Sequence, residues 1–211
     1  MTIAGGGAAE PIKVLLADDQ ALVRGALAAL LGLERDLEVV AEVGRGDEVL
    51  EAARRSGAQV CLLDIEMPGR TGIEVAAQLR RELPHCRSLV VTTFGRPGYL
   101  RRALEAGASG FVVKDTPARE LAEAVRRVHA GLRVVDPTLA AESLVDGANP
   151  LTEREREVLR VALEGGTVAA ISARVHLSGG TVRNHLSAAI GKTGTSTRAE
   201  AARVAQERGW L

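Results

Sequence analysis

Residues 60–69 read VCLLDIEMPG: four apolar residues, then an aspartate, a glutamate and a proline–glycine pair. A short apolar run that ends in a polar turn is typical of a strand buried on both faces of a parallel sheet. Open α/β sheets bind their ligands at the carboxyl ends of such strands. Asp64 therefore lies where the functional site of this chain is expected.

Four other short apolar runs have the same character, and helical stretches separate all five. The five runs are Lys13–Ala17, Leu37–Ala41, Val60–Leu63, Leu89–Val91 and Gly110–Val113. Parallel strands need crossover connections, usually helices, so the alternation predicts an α/β domain with a doubly wound five-stranded parallel sheet over residues 12–131. The first helix is expected to direct one apolar stripe inward, made of Leu22, Ala26, Leu27, Leu30 and Leu31.

The alternation stops at Gly131, and the rest of the chain has a different pattern. Residues 132–149 contain proline and glycine and are predicted to form a linker, while residues 1–11 are predicted to be a flexible tail. Residues 150–211 predict an all-α domain of four helices. Its signals are a capping box of Thr152 with Glu155, a helix over Val168–Val175, a helix that begins at Ser178 and a helix over Arg198–Arg208.

Overall charge excludes a protein coated with cationic surface, because 27 basic residues balance 27 acidic ones. The distribution is uneven, however. Between Gly165 and Ala199 there is no aspartate or glutamate, whereas four cations fall there: Arg174, Arg183, Lys192 and Arg198. This acid-free stretch is a candidate surface for binding nucleic-acid phosphates. The alternative is that the lack of acidic residues arises by chance in a small domain.

The two cysteines do not predict a metal site. Cys61 lies in an apolar run and is expected in the core, and Cys86 follows His85, which is too few ligands for zinc. No secretory signal and no apolar run near 18 residues is present. A cytoplasmic protein without membrane insertion is the expectation.

Polar side chains follow four of the predicted strands at their carboxyl ends. Asp18 and Asp19 follow the first strand, Asp64 the third, Thr92 ends the fourth, and Lys114 follows the fifth. Carboxylates with water make an oxygen-rich Mg²⁺ site. Lys114 and Thr92 could then stabilise the oxygens of a phosphoryl group in transfer to Asp64, the nucleophile that would form an acyl phosphate.

With these five residues, the segment 12–131 resembles the receiver domains of two-component response regulators, which have a flavodoxin-like fold. The resemblance implies that Asp64 accepts a phosphoryl group from a sensor histidine kinase. It also implies that Asp18, Asp19 and Asp64 bind Mg²⁺ together with the backbone carbonyl of Glu66. Phe111 stands in the place of the aromatic switch residue, which acts with Thr92, although plain core packing explains Phe111 equally well.

The third helix of the second domain has a polar face. With Val182, Leu186 and Ile190 inward, the opposite face carries Arg183, Asn184 and Ser187. Arginine and asparagine read guanine and adenine edges in the major groove. The remaining candidate DNA contacts are to phosphates, from Ser178 and Thr181 at the start of this helix and from Lys192 and Arg198.

Four segments of the second domain resemble the LuxR-type helix-turn-helix of NarL/FixJ regulators: LTERE from residue 151, ISARV from 171, SGGTVRNH from 178 and RAEA from 198. The resemblance places Arg183, Asn184 and Ser187 toward the bases, although relatives often have a basic residue in place of Ser187. It implies a transcription factor that dimerises on phosphorylation, binds a double-stranded DNA operator and can contact RNA polymerase. The resemblance also implies that the protein is not an enzyme, apart from the phosphoryl transfer to its own aspartate.

Two other classes of function compete with this interpretation. A Mg²⁺-dependent phosphotransferase for small molecules usually carries Asp-x-Asp at this strand end and a cap domain, whereas this chain has Asp64-Ile-Glu66 and no segment for a cap. A phosphorylation-independent DNA-binding regulator could use the first domain only for dimerisation. The complete set of pocket residues argues against that alternative.

Overall fold

A computed structural model describes residues 10–93, 97–137, 139–141 and 149–211 of the chain. The chain divides into two compact units, one built around a parallel sheet and one built from the last four helices. Most of the predicted tail and part of the predicted linker lie outside the described residues.

The first unit contains a sheet of six parallel strands in the order β2-β1-β3-β4-β5-β6. The strands are β1 (Ile12–Ala17), β2 (Leu37–Val43), β3 (Val60–Leu63), β4 (Arg87–Thr92), β5 (Gly110–Val113) and β6 (Val134–Val135). All five predicted strands are confirmed. The strand order reverses between β1 and β3, and the crevice beyond such a reversal is where doubly wound sheets bind ligands.

The sixth strand corrects the prediction of a five-stranded sheet. β6 pairs with β5, and the amide of Val134 donates to the carbonyl of Ser109 at 3.1 Å. Two residues are too few to show an apolar alternation, so the sequence gives no signal for this strand. The open edge of β5 carries unpaired backbone groups, and β6 satisfies some of them.

The helices that pack on the sheet are α1 (Ala21–Leu31), α2 (Val49–Ser56), α3 (Gly72–Glu82) and α5 (Ala118–His129). Between β4 and β5 the chain forms α4 (Pro97–Ala106), and a 3₁₀ turn lies at Gly46–Glu48. One face of the sheet packs against α1 and α5 through a cluster that includes Leu16, Leu62, Leu89, Leu31 and Val125. α2 and α3 pack against the other strand faces.

The predicted inward stripe of α1 is wrong in part. Leu31 is buried and Leu27 packs partly buried against the core, but Leu22 is 87% exposed and Leu30 41% exposed. Nearly every residue of α1 is apolar, so the periodicity does not distinguish the inner face from the outer one. The helix therefore leaves apolar side chains on the surface.

The second unit contains the last four helices, α6 (Glu153–Leu163), α7 (Val168–Val175), α8 (Gly179–Thr193) and α9 (Arg198–Glu207). The predicted capping box is confirmed, since the Thr152 side chain accepts from the Glu155 amide and the Glu155 side chain accepts from the Thr152 amide. Val182 and Leu186 are buried and Ile190 is partly buried, as predicted for α8. The same small core contains the single tryptophan, Trp210.

Candidate functional site

The acidic pocket lies at the carboxyl ends of β1 and β3. The amide of Asp64 donates to the carbonyl of Ala17 at 2.8 Å, which holds the two strand ends side by side. Asp18, Asp19 and Asp64 each place a carboxylate oxygen within 4.8 Å of the others; Asp18 and Asp64 are buried and Asp19 is exposed. Three oxygens at this spacing can share one divalent cation, and hard cations such as Mg²⁺ prefer oxygen ligands.

Lys114 closes the pocket from the end of β5. Its ammonium lies 2.7 Å from Asp18 Oδ2 and 3.2 Å from Asp64 Oδ2. Its amide donates to the carbonyl of Thr92 at 2.7 Å, which joins the ends of β4 and β5. The pocket thus groups three carboxylates with one ammonium, which contacts two of them, so the pocket has an excess of negative charge.

The geometry of the Lys114 ammonium suits a further ligand. Its nitrogen is buried and has no hydrogen bond of normal geometry among the described residues, so its contacts with the carboxylates are electrostatic. A buried donor without a well-directed acceptor is costly. A phosphoryl oxygen in the pocket would supply that acceptor, and a divalent cation would balance the excess negative charge.

Burial raises the pKa of the Asp64 carboxyl, and the neighbouring Asp18 adds to the shift. The Lys114 ammonium opposes the shift without cancelling it, so the pKa of Asp64 is raised overall. Burial alone would lower the pKa of Lys114, but the close contact with Asp18 and the charge of Asp64 outweigh it and raise that pKa. The pocket therefore favours the charged form of Lys114 and disfavours the charged form of Asp64, which a bound cation would stabilise.

Backbone groups orient the two buried carboxylates. Asp18 Oδ1 accepts from the amide of Gln20 at 2.9 Å, and Asp64 Oδ1 accepts from the amide of Ile65 at 2.8 Å. The Arg24 side chain donates to the carbonyl of Asp18 at 2.5 Å. Gln20 and Arg24 were not predicted as site residues, because nothing in their spacing indicates that α1 begins against the pocket.

Gly72 is a second supporting residue that the sequence pattern does not reveal. It begins α3, and a Cβ at this position would lie 2.0 Å from the carbonyl oxygen of Asp64. Only glycine lets the start of the helix approach the strand end so closely. The backbone of the turn after Asp64 is set by that contact.

The remaining predicted pocket residues lie on the same edge of the sheet or next to it. Thr92 is the last residue of β4 and is buried. Glu66 lies in the turn after β3, and its side chain is exposed. Phe111 in β5 is fully buried, as core packing requires. The switch role of Phe111 stays a prediction.

A helix-turn-helix occupies the second unit. α7 ends at Val175, His176 adopts a left-handed conformation with φ of 53°, and α8 begins at Gly179. Ser178 caps α8, as predicted, by accepting a hydrogen bond from the amide of Thr181 at 3.1 Å. The two helices are thus joined by three residues, a connection typical of DNA-binding helix-turn-helix units.

The outer face of α8 carries the predicted reading residues. Arg183, Asn184 and Ser187 are all exposed. Ser178 is exposed at the start of the helix, and its hydroxyl lies 2.8 Å from that of Thr181. A polar face of this composition beside a helix N-terminus can contact both base edges and phosphates.

Two of the four cations in the acid-free stretch are paired with carboxylates from outside it. Lys192 Nζ contacts both carboxylate oxygens of Glu155, at 2.7 and 2.9 Å, and Arg174 is paired with Glu164. Arg198 donates to the carbonyl of Gly166 at 2.7 Å. Among the described residues, no carboxylate neutralises Arg183 or Arg198. A phosphate contact by Lys192 stays a prediction.

Comparison with known families assigns each unit. Residues 14–126 match the family described as the response regulator receiver domain, and residues 149–205 match the luxR family of bacterial regulatory proteins. Fold and site thus define a response regulator, with a receiver domain and a LuxR-type DNA-binding domain. The chain belongs to the NarL/FixJ family of response regulators. It is a transcriptional regulator of that type, and the phosphorylation-independent alternative is not favoured.

Full-length relatives share both units. The chain is 41% identical over 200 residues to the transcriptional regulatory protein DesR of Bacillus subtilis, an alignment that covers 95% of this chain and 99% of DesR. It is 42% identical over 200 residues to the uncharacterized transcriptional regulatory protein YvfU of the same organism, with 95% and 100% covered. The crystal structure of the response regulator ChrA, from a heme-sensing two-component system, superposes with a TM-score of 0.58 at 30% identity, with 96% of this chain and 100% of ChrA covered.

Among the described residues, no helix has both the length and the apolar character to span a bilayer.

Proposed function

We propose that Asp64 is the phosphoacceptor and that a sensor histidine kinase donates the phosphoryl group. The observation that carries the proposal is the grouping of three carboxylates with one buried ammonium, Lys114, at the carboxyl edge of the sheet. In the reaction, an Asp64 oxygen forms a bond to phosphorus while the phosphorus–nitrogen bond of the phosphohistidine breaks. The product is an acyl phosphate on this chain, and no other substrate is turned over.

The residues present fit a Mg²⁺ ion, and receiver domains typically bind one at such a pocket. Asp18, Asp19 and Asp64 would hold it, together with the backbone carbonyl of Glu66. When bound, the ion neutralises charge on the phosphoryl oxygens. Lys114 takes up a further phosphoryl oxygen with its ammonium, and the Thr92 hydroxyl donates a hydrogen bond to another.

The second half of the proposal is that α8 reads a double-stranded DNA operator. Arg183 and Asn184, with Ser187, face the bases in the major groove, since they are exposed on the side of α8 that points away from its core. Ser178 and Thr181 contact a phosphate at the helix start. Arg198 and Lys192 contact further phosphates of the DNA backbone. The ion pair with Glu155 restricts the contact that Lys192 can make.

Phosphorylation is proposed to couple the two activities through dimerisation. The phosphoryl group on Asp64 attracts the Thr92 hydroxyl through a hydrogen bond, and the shift of Thr92 changes the packing around Phe111. The altered receiver surface then binds a second copy of the chain. Two helix-turn-helix units in one dimer would recognise repeated half-sites about one turn of DNA apart.

The decisive experiment is the intact mass of the protein after incubation with acetyl phosphate and Mg²⁺. We expect one phosphoryl adduct on the wild type and on a Glu38→Gln control, whose carboxylate is exposed on β2. We expect none on Asp64→Asn. An adduct that persists in Asp64→Asn would remove Asp64 from its role, and a folded wild type without any adduct would refute the phosphoacceptor assignment.

The coupling has its own test. DNA fragments selected by the phosphorylated protein should bind it at least about tenfold more tightly than they bind the unphosphorylated protein or Asp64→Asn. Equal affinity of all three would contradict the coupling while leaving the phosphoacceptor assignment intact.

A further inference from the structure

The two cysteines, distant in the sequence, meet inside the receiver domain. Cys61 lies in β3 and Cys86 directly precedes β4. Cys61 stands opposite Ser88 in the parallel ladder, and Cys86 comes two residues before Ser88, so both cysteine side chains lie on the same face of the sheet. Their sulfur atoms are 3.4 Å apart. A disulfide bond is about 2.05 Å long, so closing it would bring the two sulfur atoms roughly 1.4 Å nearer to one another.

The environments of the two thiols differ. Both cysteines are buried; Cys61 is completely inaccessible, whereas Cys86 is 4% exposed and borders a cavity of about 270 Å³ that Arg80, Arg87 and Ser109 also line. The contact between the two thiols lowers the pKa of Cys86, while that contact and burial raise the pKa of Cys61. Of the two buried sulfurs, that of Cys86 lies nearer to the cavity by which a small reagent would enter.

We propose that Cys61 and Cys86 are a redox-active pair that closes to an intramolecular disulfide on exposure to hydrogen peroxide. Cys86 attacks first: its thiolate sulfur bonds to one peroxide oxygen, the oxygen–oxygen bond breaks, and the departing hydroxide takes up the proton that Cys86 released. Cys61 then attacks the sulfenic sulfur of Cys86, the sulfur–oxygen bond breaks, and water leaves with the Cys61 proton. Two thiols lose two electrons and two protons, and one peroxide becomes two waters.

The cross-link would join the two strands that carry the phosphorylation chemistry. β3 leads to Asp64 and β4 ends at Thr92, while the cysteines lie toward the opposite ends of these strands. The residues between the cysteines include Asp64 and all of α3. Oxidation would therefore enclose the phosphoacceptor in a covalent loop without using a pocket residue.

The test counts free thiols in the full chain. The reduced protein is treated with hydrogen peroxide under native conditions, quenched, unfolded and alkylated, and its intact mass is measured. We expect two alkyl groups on the reduced protein, and on the oxidised protein none, with a mass lower by two hydrogen atoms and a peptide that links Cys61 to Cys86. Alkylation of both thiols after oxidation, oxygen adducts without the cross-link, or disulfide-linked dimers would overturn the proposal.

Two comparisons test the assigned roles. Wild type should close the disulfide about tenfold or more faster when native than when unfolded in urea, because the fold holds the sulfurs together. Equal rates would show that the fold does not favour the pair. In Cys61→Ala, Cys86 should accumulate as a sulfenic acid that a dimedone probe traps, whereas in Cys86→Ala, the buried Cys61 should resist the peroxide. The reverse order would contradict the assignment of Cys86 as the attacking sulfur.

Discussion

Each unit of this response regulator contains a buried carboxylate that contacts a lysine, and the two arrangements differ. In the receiver, Lys114 faces Asp18 and Asp64 with Asp19 close by, and the pKa of Asp64 is raised. In the helical unit, Lys192 faces Glu155 alone. Burial would raise the pKa of Glu155, but the ammonium and the capping-box amide outweigh it and lower that pKa.

The difference separates a binding site from a structural contact. Glu155 and Lys192 neutralise one another, and the Glu155 carboxylate also completes a capping box, so nothing remains for a ligand to satisfy. The receiver pocket holds more negative charge than its lysine can balance. This excess charge destabilises the folded receiver when no cation is bound, and it favours the binding of a cation. An unbalanced buried charge set is thus a stronger sign of function than a balanced one.

The first prediction tests the structural contact between Lys192 and Glu155. Lys192→Met should destabilise the helical unit by about 2 kcal/mol, because it leaves the buried Glu155 carboxylate without its cation. Denaturation followed by the fluorescence of Trp210 reports on this unit alone, since Trp210 is the single tryptophan and lies in its core. The double variant Lys192→Met with Glu155→Gln should recover part of the loss. No loss in the single variant would mean that the pair contributes nothing to stability.

The next effect tests which cations of the acid-free stretch act on DNA. Arg183→Ala should weaken binding to the specific operator by about 1–3 kcal/mol, because a bidentate base contact is lost. Arg174→Ala is the matched control; its charge is already paired with Glu164, and we expect less than about 0.5 kcal/mol. Fluorescence anisotropy on operator and random DNA measures both. Equal weakening by Arg183→Ala on random DNA would make Arg183 a phosphate contact.

Removing one charge from the receiver pocket should increase stability, whereas removing one charge from the Lys192–Glu155 pair should decrease it. Asp64→Asn should stabilise the receiver by on the order of 1 kcal/mol at neutral pH in Mg²⁺-free buffer, because the raised pKa means that the folded state disfavours the charged carboxylate. Calorimetry of the full chain measures the change, with Glu38→Gln as the surface control. A destabilised Asp64→Asn would show that the carboxylate contributes more through Lys114 than it costs through burial.

Acid should affect the helical unit through Glu155. A carboxylate whose folded pKa is depressed stabilises the fold above its unfolded pKa, and this stabilisation is lost as pH falls through the folded value. The Trp210 melting temperature should therefore fall as pH decreases below about 4.5, and it should fall less in Glu155→Gln. Parallel curves for wild type and variant would exclude Glu155 as a source of the acid sensitivity.

The smallest effect tests the outer face of α1. Leu22→Gln should change the stability of the receiver by less than about 0.5 kcal/mol, because the Leu22 side chain is 87% exposed. Leu31→Ala on the same helix is the contrast, and it should cost about 2–5 kcal/mol because Leu31 is buried. Thermal denaturation compares the two. A large loss for Leu22→Gln would place Leu22 in a packed contact.

Much of the site follows from the sequence because its residues come directly after strands. Asp64 and Lys114 could be placed on one edge since parallel strands bring their carboxyl ends together. The partners of Lys192 and of Cys61 could not be predicted in this way. Glu155 precedes Lys192 by 37 residues and belongs to a different helix, and the two cysteines are 25 residues apart, so local periodicity contains no information about either contact.

The sequence by itself determined the alternation of strands and helices, the carboxylate set of the pocket and the polar face of α8. These features depend on short-range patterns whose period matches a strand or a helix. Only the tertiary structure decided that β6 extends the sheet, that α1 leaves Leu22 exposed, that Glu155 neutralises Lys192 and that two cysteine sulfurs lie 3.4 Å apart. Those outcomes depend on which distant surfaces pack against one another, and packing follows from the shape and charge of the whole fold, which local periodicity does not record.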